Sequence, residues 1–144
     1  MEDLFAVFAR PEQSLQLREL GFEELCFAKH YYNRLQQLLN SSSEETAFGF
    51  QLGQYAKQTE IAILAPTLAQ ALRWFRKFHN LHGCVDLHTS TSAHWYFRID
   101  DITTNDYIFH SEDADQRYKT YESAESACLT KLIEIVKNKE NEKI

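Results

Sequence analysis

The chain has 144 residues, 44% of them apolar, and a formal net charge of −6. That length suits one domain with a real core, and the apolar share excludes wholesale disorder. The acidic balance counts against nucleic acid as the default partner, because phosphate binding favours a basic surplus.

In chain order, Leu4, Phe5, Val7 and Phe8 form a short apolar segment suited to a helical turn or an edge strand. Pro11 fits the first turn of a helix over residues 12–20, carrying Leu15, Leu17 and Leu20. Gly21 is placed to end it in a left-handed cap, with Phe22 folding back onto the last turn. Residues 24–39 support two readings. Residues 26–32 have strand composition, and Asn33-Arg34 could turn them into a partner strand over 35–39. Phe27, Tyr31, Leu35 and Leu38 also stand at helical spacing. Residues 40–45 read as a loop, residues 48–58 show no clear pattern, and residues 61–65 read as a buried strand.

Thr67 and Gln70 match a capping box at the head of a helix. Leu68, Ala71, Leu72, Phe75 and Phe78 make its apolar stripe; Arg73, Arg76 and Lys77 lie opposite, with Trp74 at the core boundary. Asn80 can end this helix in a left-handed conformation. Residues 83–87 read as a strand and 89–92 as a turn. Residues 94–101 alternate, with Trp95, Phe97 and Ile99 on one face and Tyr96, Arg98 and Asp100 on the other. A turn at 103–106 leads to a third strand over 107–110, then an acidic loop over 111–116. Thr120 is placed to cap a last helix, with Glu122 and Glu125 near the positive end of its dipole. Its expected inward stripe is Ala124, Ala127, Cys128, Leu132, Ile135 and Val136, with fraying beyond about residue 138.

The predicted architecture is a single α+β domain over 1–144, an antiparallel sheet with helices packed on one face. Residues 1–64 supply a helix and strands, which could extend that sheet. Residues 66–138 form a core in helix–strand–strand–strand–helix order, and residues 139–144 a frayed tail. A helix followed by strands occurs in both halves, without a convincing repeat.

Two stretches resemble a family of small uncharacterised proteins of gut bacteria, often carried on phages and other mobile elements. One is Ala65-Pro66-Thr67 with Gln70-Ala71 and Arg73-Trp74-Phe75-Arg76. The other is residues 118–125 running into Ala127-Cys128-Leu129 and residues 131–136. A third, shorter match covers residues 20–24 with Cys26-Phe27. The resemblance implies a small α+β architecture and a mobile-element setting, and favours the strand pair within residues 24–39. The helix–three strands–helix order is also similar to double-stranded-RNA-binding domains. Their lysine cluster at the start of the last helix corresponds here to Lys119, Glu122 and Glu125, whose carboxylates would repel phosphate.

For chemistry, His79, His82, Cys84, Asp86 and His88 form the densest run of donors, but their spacing matches no standard metal site. They are expected to be a polar strand face beside a helix cap. Asp100, Asp101, Asp106, Glu112, Asp113 and Asp115 lack the glycine of a calcium loop and read as solvating charges. No nucleophile motif or phosphate loop is present. Cys128 falls on a buried stripe, where a thiol is inert.

No catalytic residue, cofactor or metal is therefore expected. Arg73, Arg76, Lys77, Tyr96 and Arg98 are the candidate interaction surface. The expected role is non-enzymatic binding of a protein partner. A nucleic-acid-associated module using the basic helix face is the alternative. The three widely spaced cysteines, the start Met-Glu-Asp and the absence of a ~20-residue apolar run point to a soluble cytoplasmic setting, with no membrane.

Overall fold

The computed structural model describes residues 6–32, 48–56, 62–90 and 92–142. The fold is mixed α+β, and the chain divides into two compact units, Phe8–Thr67 and Met1–Val7 with Leu68–Ile144.

In the unit Phe8–Thr67, helix α1 (Pro11–Glu19) starts at Pro11, and the Gln13 side chain accepts a hydrogen bond from the Arg10 N–H at 2.9 Å. At its other end the Gly21 N–H donates to Arg18 and the Phe22 N–H to Leu17. This is the paired closure expected around a left-handed residue, and Gly21 has φ +96°. Phe22 and Leu17 are buried by it. Strands β1 (Cys26–Tyr32), β2 (Phe48–Tyr55) and β3 (Ala62–Leu64) form a three-stranded sheet in the order β2–β1–β3, antiparallel throughout. Residues 26–32 are thus strand. The partner strand expected over 35–39 lies outside the described residues, as do Leu4, Phe5 and the loop at 40–45. Residues 48–55, which show no clear pattern, supply β2 instead. Along β1, Cys26, Ala28 and His30 are buried, whereas Phe27 and Tyr31 are exposed.

The second unit has a sheet of its own, which none of the described strands β1–β3 extends. Helix α2 (Leu68–His79) is followed by β4 (Leu81–His88), β5 (His94–Asp101) and β6 (Tyr107–His110), an antiparallel meander in the order β4–β5–β6. A short 3-10 helix (Ser111–Ala114) leads to helix α3 (Tyr121–Glu142). Helix α2 buries Leu68, Ala71, Leu72, Trp74 and Phe75. Two of its residues correct the expected stripe. Trp74 is buried at 4% exposure, and Phe78, in the last turn, is 55% exposed with its ring resting on Trp74. Asn80, at φ +55°, makes the left-handed stop.

Both α2 and α3 lie on one face of this sheet, as the packing around Gly83 shows. A Cβ there would meet Cys128 Sγ at 2.7 Å, Leu132 Cδ1 at 3.2 Å and Leu72 Cδ2 at 3.4 Å. Glycine is required at this point because side chains of both helices close onto the strand backbone. Phe97 and Ile99 face the same way and are buried. Helix α3 is capped by Thr120, whose Oγ1 accepts from the Ser123 N–H at 3.1 Å. Its buried residues are Ala124, Glu125, Cys128, Leu129, Leu132, Ile133 and Val136. The inward face is therefore turned from the expected one: Ala127 and Ile135 are only half-buried. The Glu125 carboxyl is raised by burial and then by Glu122, rather than simply facing the dipole in water. The helix also continues to Glu142 instead of fraying near residue 138; residues 138–142 hold no glycine or proline to stop it.

Candidate functional site

The face of the β4–β5–β6 sheet opposite the helices carries the candidate site. Cross-strand pairing sets His88 against His94, Asp86 against Tyr96 and Cys84 against Arg98; on the far side Arg98 pairs with His110. Residues directly opposite one another share a face, so one polar, aromatic-rich surface results. Two ring pairs stack on it: His88 with His94 at 4.7 Å and 15°, and Tyr96 with His110 at 5.0 Å and 16°. Arg98 is half-exposed and held by Asp100, Nε to Oδ2 at 3.1 Å.

The outer edge of β5 explains how Glu112 reaches this surface. Strand β6 pairs only with residues 98–100 of β5. The Phe97 N–H donates to Ser111 Oγ at 2.9 Å, and Trp95 exchanges backbone hydrogen bonds with Tyr118 at 2.7 and 3.0 Å. Every outward N–H along this stretch of β5 thus finds an acceptor, which buried backbone demands. Ser111 is fully buried in making its bond, and so pins the head of the 3-10 helix beside His94. Glu112, the next residue, then meets both imidazoles. Its Oε2 lies 3.2 Å from His88 Nδ1 and 3.2 Å from His94 Nε2.

The outer ring nitrogens are also engaged. His94 Nδ1 contacts the Ser92 carbonyl at 3.0 Å, and His88 Nε2 contacts Ser90 Oγ. Partial desolvation tends to raise the Glu112 carboxyl, but the hydrogen bond from His94 and the nearby His88, His94 and His110 outweigh it and hold the carboxyl below its ordinary range. Desolvation, then Asp86 and Glu112, push the Tyr96 phenol upwards, so its hydroxyl stays protonated near neutrality. His110 Nδ1 is buried without a hydrogen-bond partner among the described residues.

Of the run His79 to His88, only His88 enters this cluster. His79 packs on Trp74 and Phe75 in the last turn of α2. His94 is not among the donors that sequence spacing singles out, and Glu112, grouped there with the solvating charges of an acidic loop, instead meets two imidazoles. The β4–β5 register does place His88 opposite His94. Glu112, however, depends on Ser111 hydrogen-bonding across to β5, which spacing does not reveal. The other predicted surface is separate: Arg73, Arg76 and Lys77 are exposed on α2, with Lys77 Nζ over the Phe78 ring at 5.2 Å. Cys128 is buried and its thiol pushed upwards, chiefly by desolvation. Burial, then Glu24, raises Cys26 to about 12. Neither thiol offers a ready nucleophile.

Among the described residues no helix is long and apolar enough to cross a membrane. No family model matches the chain, and comparison with curated proteins and with solved structures gives no significant match.

Proposed function

We propose that this is a non-enzymatic binding protein whose working surface is the open face of the β4–β5–β6 sheet, and that its partner is a protein. The observation that carries this reading is the stacked Tyr96–His110 pair beside half-exposed Arg98, on the face opposite both helices. Tyrosine and arginine are the residues that anchor protein interfaces, because each offers a large rigid contact area with a polar tip. Asp86, Asp100 and Glu112 on the same face disfavour a phosphate backbone there. A phage or mobile-element setting belongs to the same proposal and rests on the two sequence motifs alone.

The alternative, a nucleic-acid module, draws on exposed Arg73, Arg76 and Lys77 of α2. Affinity capture from the native host, with wild type beside a Tyr96→Ala/Arg98→Ala double variant, tests both. A partner held by wild type and weakened by about 30-fold or more in the double variant supports the sheet face, an anchor being worth about 2 kcal/mol. Equal recovery by both proteins removes the face from the proposal. Retention on nucleic acid at low salt, lost on neutralising the three basic residues, establishes the alternative instead.

A further inference from the structure

We infer that His88, His94 and Glu112 form a binding site for one divalent transition-metal ion of the zinc class, with its remaining coordination position open to solvent. This goes beyond the binding role proposed above and does not depend on it.

The donor set is the first reason. Two imidazoles and one carboxylate suit zinc and its neighbours, and three protein ligands leave a position for water or an incoming donor. The candidate donor atoms all lie within 4.8 Å of one another. Metal–ligand bonds of about 2.0–2.2 Å in a tetrahedron put neighbouring donors about 3.4 Å apart. The two nitrogen-to-carboxylate distances, both 3.2 Å, already stand near that edge. The two carboxylate edges are thus preset, and the stacked imidazoles would tilt to turn their nitrogens onto one ion.

The outer hydrogen bonds are the second reason. The Ser92 carbonyl can only accept, so His94 Nδ1 must carry the proton in that 3.0 Å contact. In the neutral tautomer His94 Nε2 then turns a lone pair towards a carboxylate oxygen 3.2 Å away. In the metal-free chain a proton on Nε2 fills that gap, as the hydrogen bond from His94 to Glu112 requires, and a metal ion can take its place. His88 meets the same oxygen, and its ring lies almost flat on that of His94. One divalent cation placed between them would accept a lone pair from each ring. A histidine ligand whose far nitrogen donates to a backbone carbonyl is also the usual arrangement around protein-bound metals, because it sets the tautomer. The Ser90 hydroxyl at His88 Nε2 can play the same part.

The placement is the third reason. Ser111 fixes Glu112 through its buried bond to β5, and the β4–β5 pairing sets the two histidines opposite each other. His94 is buried, while the side chains of His88 and Glu112 are 33% and 21% exposed, which leaves a solvent path to the site.

The test is titration of the full-length, reduced chain with zinc, followed by cobalt as a spectroscopic probe. The expected result is one ion per chain with a visible spectrum typical of low-coordinate cobalt bound by nitrogen and oxygen. Glu112→Gln, His94→Ala and His88→Ala should each weaken zinc binding by at least about tenfold, since losing a ligand costs no less than losing one of its outer hydrogen-bond partners. Glu112→Gln and His88→Ala alter partly exposed side chains, so they serve if His94→Ala does not fold; circular dichroism checks each. Absence of zinc binding up to millimolar concentration overturns the inference. So does unchanged affinity in the folded variants, or an intense thiolate-to-cobalt band, which would place the ion on a cysteine.

Discussion

The two units share an order of elements and differ in wiring. Each begins with a helix followed by three antiparallel strands. In the unit Phe8–Thr67 the first strand, β1, takes the centre, and its neighbours β2 and β3 come from later in the chain. In the second unit the strands pair in sequence order, so β5 is central and its partners are its neighbours along the chain. The difference shows in the central strands. Both faces of β5 are specified, one by the helices and one by the polar cluster. On β1, by contrast, Phe27 is 55% and Tyr31 38% exposed. The same recipe of elements thus yields one sheet with a built polar site and one with open aromatic side chains.

The largest expected effect tests that contrast between central strands. Phe97 on β5 is 1% exposed and packs against Phe109 at 5.4 Å and Tyr118 at 5.9 Å. Phe97→Ala should cost about 3–5 kcal/mol through lost burial and the cavity left behind. Phe27→Ala on β1 should change stability by no more than about 0.5 kcal/mol. Urea unfolding of both variants measures the pair. Equal losses would mean that the exposed face of β1 is covered in solution.

Local signals carried the helix ends and much of the second unit. The stop at Gly21 in the first unit, and the stop at Asn80, the alternation of β5, the limits of β6 and the Thr120 cap in the second, could all be read from neighbouring residues, because each depends on a few adjacent side chains. What failed was non-local. Phe27 and Tyr31 are four apart, a spacing that puts residues on one face of a helix and equally on one face of a strand, so this pair could not separate the two readings. The exposure of Phe78 depends on Trp74 taking the buried position one turn earlier. The three-residue site joins β4, β5 and the 3-10 helix, and its third member is positioned by a serine hydroxyl that no periodicity marks.

His30 offers a second break in the comparison, because it is a polar group buried on the closed face of β1. It is 6% exposed, and its Nε2–H donates to the Ala9 carbonyl at 2.7 Å. His30→Ala would leave that carbonyl unpaired, at a cost of about 1–3 kcal/mol. Desolvation lowers the folded-state pKa below the usual value near 6.5, outweighing the raising effects of the Ala9 bond and Glu12. The unfolded chain therefore takes up the proton first as pH falls. The stability due to neutral His30 is complete above about pH 6.5 and is lost as pH drops towards the lower folded-state value. Urea midpoints at pH 7.5 and pH 5 should differ more for wild type than for His30→Ala. An identical pH dependence in the two proteins would show that His30 is not the titrating group.

The smallest effect compares how α1 and α2 end. Both stop at a left-handed residue, but Gly21 sits at φ +96° and Asn80 at φ +55°. The second value lies in the left-handed helical well, which asparagine tolerates; the first lies beyond it. A Cβ built at Gly21 meets nothing within 4 Å, so any penalty there comes from the backbone and not from crowding. Gly21→Ala should then cost about 1–2 kcal/mol, and Gly21→Asn should recover only part of it. Asn80→Gly should shift stability by no more than about 0.5 kcal/mol, since glycine accepts the same conformation without strain. If Gly21→Ala proves neutral in thermal unfolding, the paired bonds from Gly21 and Phe22 to the last turn of α1 cannot depend on that φ. The stop would then be set by burial of Phe22 against Leu17 alone.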